Sequence, residues 1–224
     1  MNDMSCRAQV FAIAALLLCL LILAFSSMGV QSSLLKEVED EGFPLSENIL
    51  LCFDKIFLKA LVQSSIEYNP YVFMRSFTDF QNFVLSFLDR DHTITMDWDG
   101  NVTFNWNSTI SYTQASSRLY LSCGGISFQR VFYYKFLVNV DEFSWSNGWG
   151  EVVFRASINN RPCKVRVNCV YVLINETWVK LSSIKLSFNG SFTSLSFRCM
   201  HPPQSFYIII NDENGVVVEV KLDF

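Results

Sequence analysis

This 224-residue sequence has little histidine and lacks the short motifs of common catalytic sites. It has two histidines. It contains no Gly-x-Ser-x-Gly, no His-Glu-x-x-His, no phosphate-binding glycine loop and no dinucleotide-binding fingerprint. It also has no Cys-x-x-Cys pair, so a zinc centre built from cysteine and histidine is not expected. These absences predict that the protein binds neither a cofactor nor a metal.

Positive charge is also scarce. The chain has 17 Lys and Arg against 21 Asp and Glu, which gives a net charge of −4. A mildly acidic chain does not attract the phosphates of nucleic acids or the surface of an anionic membrane. Neither is therefore expected as a partner, unless the amino terminus itself holds the protein to a membrane.

The amino terminus carries a long hydrophobic run at residues 8–25, in which Gln9 is the only polar residue. The run follows one positive charge, Arg7, and ends in small residues, a layout typical of a secretory signal peptide. We expect residues 1–29 to be cleaved, with 30–44 as a polar linker. The alternative is an uncleaved signal anchor in a type II membrane protein, because ~17–25 apolar residues span a bilayer. Both interpretations place the remaining residues in the secretory lumen or outside the cell.

Four Asn-x-Ser/Thr triplets agree with export. They begin at Asn101, Asn107, Asn175 and Asn189. Polar strand faces produce such triplets by chance, but four of them behind an export signal predict N-glycosylation.

Five cysteines remain after the predicted cleavage: Cys52, Cys123, Cys163, Cys169 and Cys199. In an oxidising compartment they are expected to form two disulfides and to leave one thiol, with the connectivity open. Cys163 and Cys169 are predicted to share a strand roughly 20 Å apart, too far to bond each other. The remaining thiol would be either buried or a cross-link to a partner.

Large apolar side chains alternate with polar ones across residues 93–110, which predicts strands with one buried and one solvated face. The triplet Asp99-Gly100-Asn101 favours a turn, and a three-residue loop there would pair Trp98 with Val102. We therefore predict a hairpin that turns at 99–101. Its buried face would carry the even-numbered apolar residues Ile94, Met96, Trp98, Val102, Phe104 and Trp106.

Helical periodicity predicts a first helix from Ser46 to Ile66, with Ser46 as its N-cap. A second helix is predicted to begin at Thr78, because Thr78 and Gln81 match the capping-box pattern. The spacing of the apolar residues from Phe128 to Phe136 indicates a short third helix.

The remaining chain has the pattern of strands. One predicted face carries Val152, Phe154, Ala156 and Ile158, and another carries Cys163, Val165, Val167, Cys169, Tyr171 and Leu173. Further strands are predicted at 184–188, 195–199, 206–211 and 216–224, with a hairpin turn at 212–215 joining the last two. We expect a single α+β domain at 45–224, in which N-terminal helices pack on a long, curved antiparallel β-sheet.

Three stretches, SCGGISFQRVFYYKFLVNVDEF, GEVVFRASINN and KVRVNCVYVLINETW, resemble the end of an NTF2-like domain. The likeness lies in hydrophobic patterning over about residues 120–170. It implies helices packed into a cone against a curved antiparallel meander. The hairpin at 93–110 and the strands after Asn189 depart from that pattern, and the resemblance assigns no functional residue.

Candidate chemistry is confined to a few residues. His92 with Asp91, Asp97 and Asp99 is the one group that offers acid–base pairs, although Asp97 and Asp99 also suit a solvated strand and a turn. His201 precedes two prolines in a loop. Trp145 and Trp149 flank a Ser-Asn-Gly turn, where they would either pack together or stack on a sugar.

Two classes of function are consistent with these patterns. The first is a secreted, disulfide-containing glycoprotein that binds a protein, a glycan or a small apolar ligand without catalysis. The second is a secreted enzyme that uses acid–base residues in an NTF2-like pocket. The missing motifs favour the first.

Overall fold

This computed structural model describes residues 42–87, 94–123 and 125–224. These residues contain two helices and eleven strands, joined by turns and loops. These residues belong to one compact unit, Glu41–Phe224. The predicted signal peptide and residues 30–41 of the predicted linker lie outside the described residues.

The helices are α1 (Gly42–Glu67) and α2 (Pro70–Phe87). The strands are β1 (Ile94–Asn105), β2 (Ile110–Cys123), β3 (Ile126–Ser146), β4 (Trp149–Ile158), β5 (Arg161–Pro162), β6 (Arg166–Ile174), β7 (Thr177–Lys180), β8 (Ile184–Asn189), β9 (Phe192–Arg198), β10 (Ser205–Asn211) and β11 (Val217–Asp223). Seven strands form one sheet in the order β1-β2-β3-β4-β9-β8, with β5 on β4. Four form a second sheet in the order β11-β10-β6-β7.

Helix α1 begins at Gly42, before the predicted N-cap Ser46, so residues 42–44 are helical and do not belong to a linker. Its buried stripe has the predicted helical spacing. The stripe consists of Ile49, Phe53, Phe57, Ala60 and Leu61.

Helix α2 begins at Pro70, and the predicted start at Thr78 is wrong. The side chain of Asn69 accepts a hydrogen bond from the Tyr71 amide at 3.0 Å, which is the usual action of an N-cap residue. Proline suits the first helical position because its fixed φ is helical and it has no amide to satisfy. Thr78 lies within the helix, where its hydroxyl donates to the carbonyl of Met74 at 3.1 Å.

Strand β1 runs straight through residues 99–101, so the predicted hairpin turn is wrong. Its whole length pairs with β2, and Trp98 lies opposite Leu119. The predicted alternation is nevertheless correct, because Ile94, Met96 and Val102 are buried while the odd-numbered residues are exposed. In a continuous strand and in a hairpin with a three-residue loop alike, the even-numbered residues lie on the same face. Both arrangements therefore give the same burial pattern, which does not distinguish them.

Residues 128–136 form part of the 21-residue strand β3, and the predicted short helix is wrong. Phe132 is buried and Phe136 is fully enclosed, whereas Val131 is 63% exposed. Pairing along the full length of β2 overrides the helical spacing of this segment.

Strands are present where they are predicted after residue 150, except that β6 begins at Arg166, so Cys163 and Val165 precede it. The predicted single face from Cys163 to Leu173 is wrong, because a bulge in β6 places Val167 and Cys169 on opposite sides of the sheet. The antiparallel β10–β11 hairpin turns at residues 212–216. All strand pairings in the described ranges are antiparallel. The chain is therefore an α+β protein with helices before antiparallel sheet, as predicted.

The helices pack on the seven-stranded sheet through phenylalanine rings. The ring centroid of Phe132 lies 4.8 Å from that of Phe53 and 5.6 Å from that of Phe57. Phe77 of α2 lies 4.8 Å from Phe53 on the other side. These spacings are typical of favourable aromatic pairs.

The strand assignment of residues 128–136 predicts unequal effects at neighbouring positions. Phe132→Ala should lower the free energy of unfolding by about 3–5 kcal/mol, because it empties a packed aromatic site. Val131→Ala should change it by only about 0.5 kcal/mol, as surface substitutions do. Urea denaturation of both variants measures this difference. Comparable losses would mean that the two residues share a buried helical face.

Candidate functional site

The outer surface of the four-stranded sheet carries large, partly exposed apolar side chains. Tyr171 pairs with Tyr207, and Leu173 pairs with Trp178. Directly paired residues point to the same face of a sheet. Trp178 is 43% exposed, and the other members are partly exposed. We call this set the aromatic face, and it consists of Cys169, Tyr171, Leu173, Trp178, Tyr207 and Ile209.

Two local features place these side chains together. Asn175 and Glu176 both have positive φ, 48° and 63°, so they form a two-residue turn whose twist suits a hairpin and brings β7 back along β6. A bulge in β6 lies opposite Ile209 and Ile210. It lets Val167 pair with Ile210 on the core side while Cys169 pairs with Ile209 on the outer side.

Aromatic contacts order the face. The centroid of Tyr207 lies 6.0 Å from that of Tyr171 and 6.1 Å from that of Trp178. Both distances are within the range of favourable aromatic pairs. The three rings therefore contact one another and form a continuous, ordered apolar surface.

Charged side chains border the aromatic face along β11. Glu219, Lys221 and Asp223 lie opposite Ile209, Tyr207 and Ser205. Burial raises the pKa of Tyr207 well above its usual range, and the hydrogen bond to Glu219 raises it further, so the phenol stays protonated. The surface thus combines an apolar centre with a polar border, the arrangement of protein–protein interfaces.

A second candidate is an open cavity of about 520 Å³ beside the β10–β11 turn. Its lining mixes polar and apolar residues and comprises Ile158, Asn159, Arg161, Pro162, Cys163, Glu213 and Asn214. Behind it lies Asp212, which is 1% exposed.

The Asp212 carboxylate accepts its hydrogen bonds mainly from within the β10–β11 hairpin. It accepts hydrogen bonds from the amides of Asn214 at 2.9 Å and Val216 at 3.0 Å. It also accepts one from the hydroxyl of Tyr134, to which the Asn214 side chain donates at 2.8 Å. These contacts fasten the turn to strand β3.

The pKa values in this cluster are set mainly by burial. Burial raises the pKa of Asp212, although hydrogen bonds from Tyr134 and the turn amides oppose it. Burial and the charges of Asp212 and Glu213 raise the pKa of the Cys163 thiol to about 12. A thiol that stays protonated at neutral pH is a poor nucleophile. The hydrogen bonds that Asp212 accepts from Tyr134 and from the turn amides indicate a structural role for the cluster.

The four glycosylation candidates are exposed. Asn101 lies in the middle of β1, and Asn107 lies in the β1–β2 loop at a φ of 60°. Asn175 is in the β6–β7 turn, and Asn189 ends β8.

All five predicted disulfide cysteines are free thiols, so the two predicted bridges are absent from the described residues. The topology gives the reason for one pair, Cys123 and Cys199, which lie near opposite ends of β3. Cys123 pairs with Ile126 at the start of β3, whereas the amide of Cys199 donates to Gly148 just beyond its end. A disulfide requires Cα atoms within about 7 Å. Cys52 is exposed on α1.

The two tryptophans of the β3–β4 turn do not form a joint platform. Trp145 pairs with Gly150, and its indole N–H donates to the Cys199 carbonyl at 3.0 Å. Trp149 pairs with Ser146 on the opposite face and is 54% exposed. Neither the stacked pair nor the paired sugar platform is formed.

The acid–base candidates are not gathered in an enclosed site. Asp97 and Asp99 are exposed on the outer face of β1, and His92 and Asp91 lie outside the described residues. His201 is an exposed loop residue. Within the described ranges, no three His, Cys, Asp or Glu side chains come close enough together to hold a metal ion.

The hydrophobic pattern of the sequence does not distinguish the aromatic face. Residues 169–174 are all apolar, so their alternation does not show which side of the strand is covered. The two-residue turn at Asn175 was the one available signal, because it places Trp178 opposite Leu173.

Comparison with known proteins gives no relative, since no family model, curated protein or solved structure matches the chain. The NTF2-like resemblance therefore stays a prediction. Neither α1 nor α2 has the length and hydropathy of a bilayer span, and residues 8–25 lie outside the described residues.

The raised pKa of Asp212 predicts a pH dependence of stability. A carboxyl whose native pKa exceeds its unfolded value of about 3.8 favours the folded state most at low pH. This contribution is lost as the pH rises through the native pKa. The stability of the wild type relative to Asp212→Asn should therefore fall as the pH rises from about 3.8, as measured by urea denaturation at pH 4–8.

Asp223→Asn is a control for which the opposite pH dependence of stability is expected. A hydrogen bond from Ser205, followed by one from Lys221, lowers the pKa of Asp223. The stability of the wild type relative to this variant should rise with pH. A pH-independent difference for Asp212→Asn would contradict a raised pKa.

Proposed function

We propose that the protein is an exported, N-glycosylated binding protein that engages a protein partner through its aromatic face, without catalysis. The observation that carries this proposal is the ordered set of partly exposed Tyr171, Trp178 and Tyr207 on the outer surface of the four-stranded sheet. Trp and Tyr are the residues that most often dominate the binding energy of protein interfaces.

The shape of the surface favours a protein over a small ligand. Sites for small ligands are concave and mostly apolar. The aromatic face lies on one side of a sheet, and the cavity beside the β10–β11 turn is open, with polar and apolar side chains mixed in its lining. A protein partner can cover the apolar centre and also reach the charged residues of β11.

Export is supported by the hydrophobic run at residues 8–25 and by the exposure of all four sequons. An uncleaved run would keep the same domain on the outer side of a membrane. The aromatic face would be accessible in either case.

The enzymatic alternative requires a carboxylate that is free to exchange a proton with a bound ligand. Asp212 is the buried carboxylate of the described residues, and its oxygens accept hydrogen bonds from the hairpin and from Tyr134. No observation favours that alternative.

Export predicts glycan attachment. Protein made in a secretory host should lose apparent mass on treatment with an N-glycosidase, and the sequons at Asn101 and Asn107 should both be modified. An unchanged gel band from a chain recovered in the medium would contradict this part of the proposal.

The binding surface predicts different effects for two exposed tryptophans. Trp178→Ser should weaken retention of the extracellular partner at least about tenfold, because truncating an aromatic residue that dominates an interface costs more than about 1.4 kcal/mol. Trp149→Ser is the matched control and should leave retention unchanged, since Trp149 is 54% exposed on the other sheet. The measurement is capture from extracellular fluid by immobilised, exported protein.

Protease treatment of that fluid should abolish capture if the partner is a protein, and glycosidase treatment should not. Equal retention by both variants and the wild type would contradict a role for the aromatic face.

A further inference from the structure

We propose that an N-glycan on Asn189 is a structural part of the domain, with its first N-acetylglucosamine stacked on the ring of Phe192. The proposal rests on the proposed function in one respect, because it requires an exported and glycosylated chain. It goes further by assigning that glycan a contact with the protein and a consequence for stability.

The β8–β9 hairpin places the two residues side by side. Asn189 and Phe192 are paired directly across the turn, so both side chains lie on the same face with Cβ atoms about 4.5–5.5 Å apart. Gly190 permits this tight turn with a φ of 62°. A sugar attached to the Asn189 amide nitrogen therefore begins within reach of the Phe192 ring.

The ring is available and its position is fixed. Phe192 is 45% exposed. On the side of β4, the guanidinium of Arg155 lies 5.8 Å from the ring centroid, and Asp141 holds that guanidinium with hydrogen bonds of 2.6 and 2.9 Å. Because β9 lies between β4 and β8, Arg155 flanks the ring on one side and Asn189 on the other.

The chemistry of the two groups is complementary. One face of a pyranose ring presents C–H groups, which pack on the electron-rich face of an aromatic ring and displace water from it. The Asn189 side chain makes no hydrogen bond within the described residues, so its amide nitrogen is free for the glycan. Stacking would cover exposed apolar surface at the hairpin that ends the seven-stranded sheet.

Asn101 provides a comparison within the same sheet. It is also exposed on the outer face of a strand, but its direct partner is Ser116, whose hydroxyl donates to the Asn101 side chain at 2.9 Å. No aromatic ring lies directly opposite this sequon. A glycan on Asn101 should therefore extend into solvent without stabilising the fold.

The test compares thermal unfolding of exported protein whose glycans can be trimmed to one N-acetylglucosamine or removed entirely. Ser191→Ala, which abolishes the Asn189 sequon, should lower Tm by about 2–4 °C, the shift expected from an aromatic contact of ordinary strength in a chain of this size. Thr103→Ala, which abolishes the Asn101 sequon, should change Tm by less than about 1 °C. Trimming to one sugar should preserve the Tm of the wild type, and complete removal should lower it.

The same pair of measurements in a Phe192→Ser background isolates the contact. There, Ser191→Ala should produce no further loss of Tm. An equal loss in both backgrounds, or no loss in either, would overturn the proposal. Glycopeptide mass spectrometry separates the two proposals, since an empty Asn189 beside occupied sequons overturns only this one, whereas four empty sequons overturn the proposed export as well.

Discussion

The backbone of Val217 joins helix α1 and both sheets, and the packing of the domain depends on it. Its amide donates to the Ser65 hydroxyl of α1 at 3.0 Å, and its carbonyl accepts from the Thr113 hydroxyl of β2 at 2.6 Å. Strand β11 is an edge strand that lies in the interior, so its outward polar groups need partners other than water. A buried polar group without one costs about 1–3 kcal/mol. The Asn107 amide satisfies the next outward group, the carbonyl of Glu219, at 3.0 Å.

Because the hydrogen bonds of Val217 anchor β11 in the interior, the two faces of the four-stranded sheet lie in different environments. The inner face, with Phe206, Ile208 and Val218, is buried in the core. No element of the described residues covers the outer face in this way, and Tyr171, Trp178 and Tyr207 are partly exposed there. The aromatic surface proposed to bind a partner is therefore a consequence of how the sheet is anchored.

Asparagine has two roles in several hairpins of this chain. Asn175 and Asn107 have positive φ, which asparagine tolerates better than most residues, and each also begins a sequon. Asn189 lies on a strand beside its turn, where pairing with Phe192 gives its side chain an aromatic neighbour. The same residue type thus shapes the turns and offers glycan attachment points at exposed positions.

The sequence by itself determined the order of helices before strands, the spacing of the core residues in α1, the alternation of β1 and the β10–β11 turn. These features follow from local periodicity and turn chemistry, which act over a few residues. Tertiary structure decided that β1 continues through Asp99 and Gly100, because pairing along all of β2 outweighs a local turn preference. It also decided that Phe132 belongs to a strand, and that Tyr171 faces outward while Val172 faces the core. A period of two defines two faces of a strand, but only the packing of helices and sheets decides which face is covered.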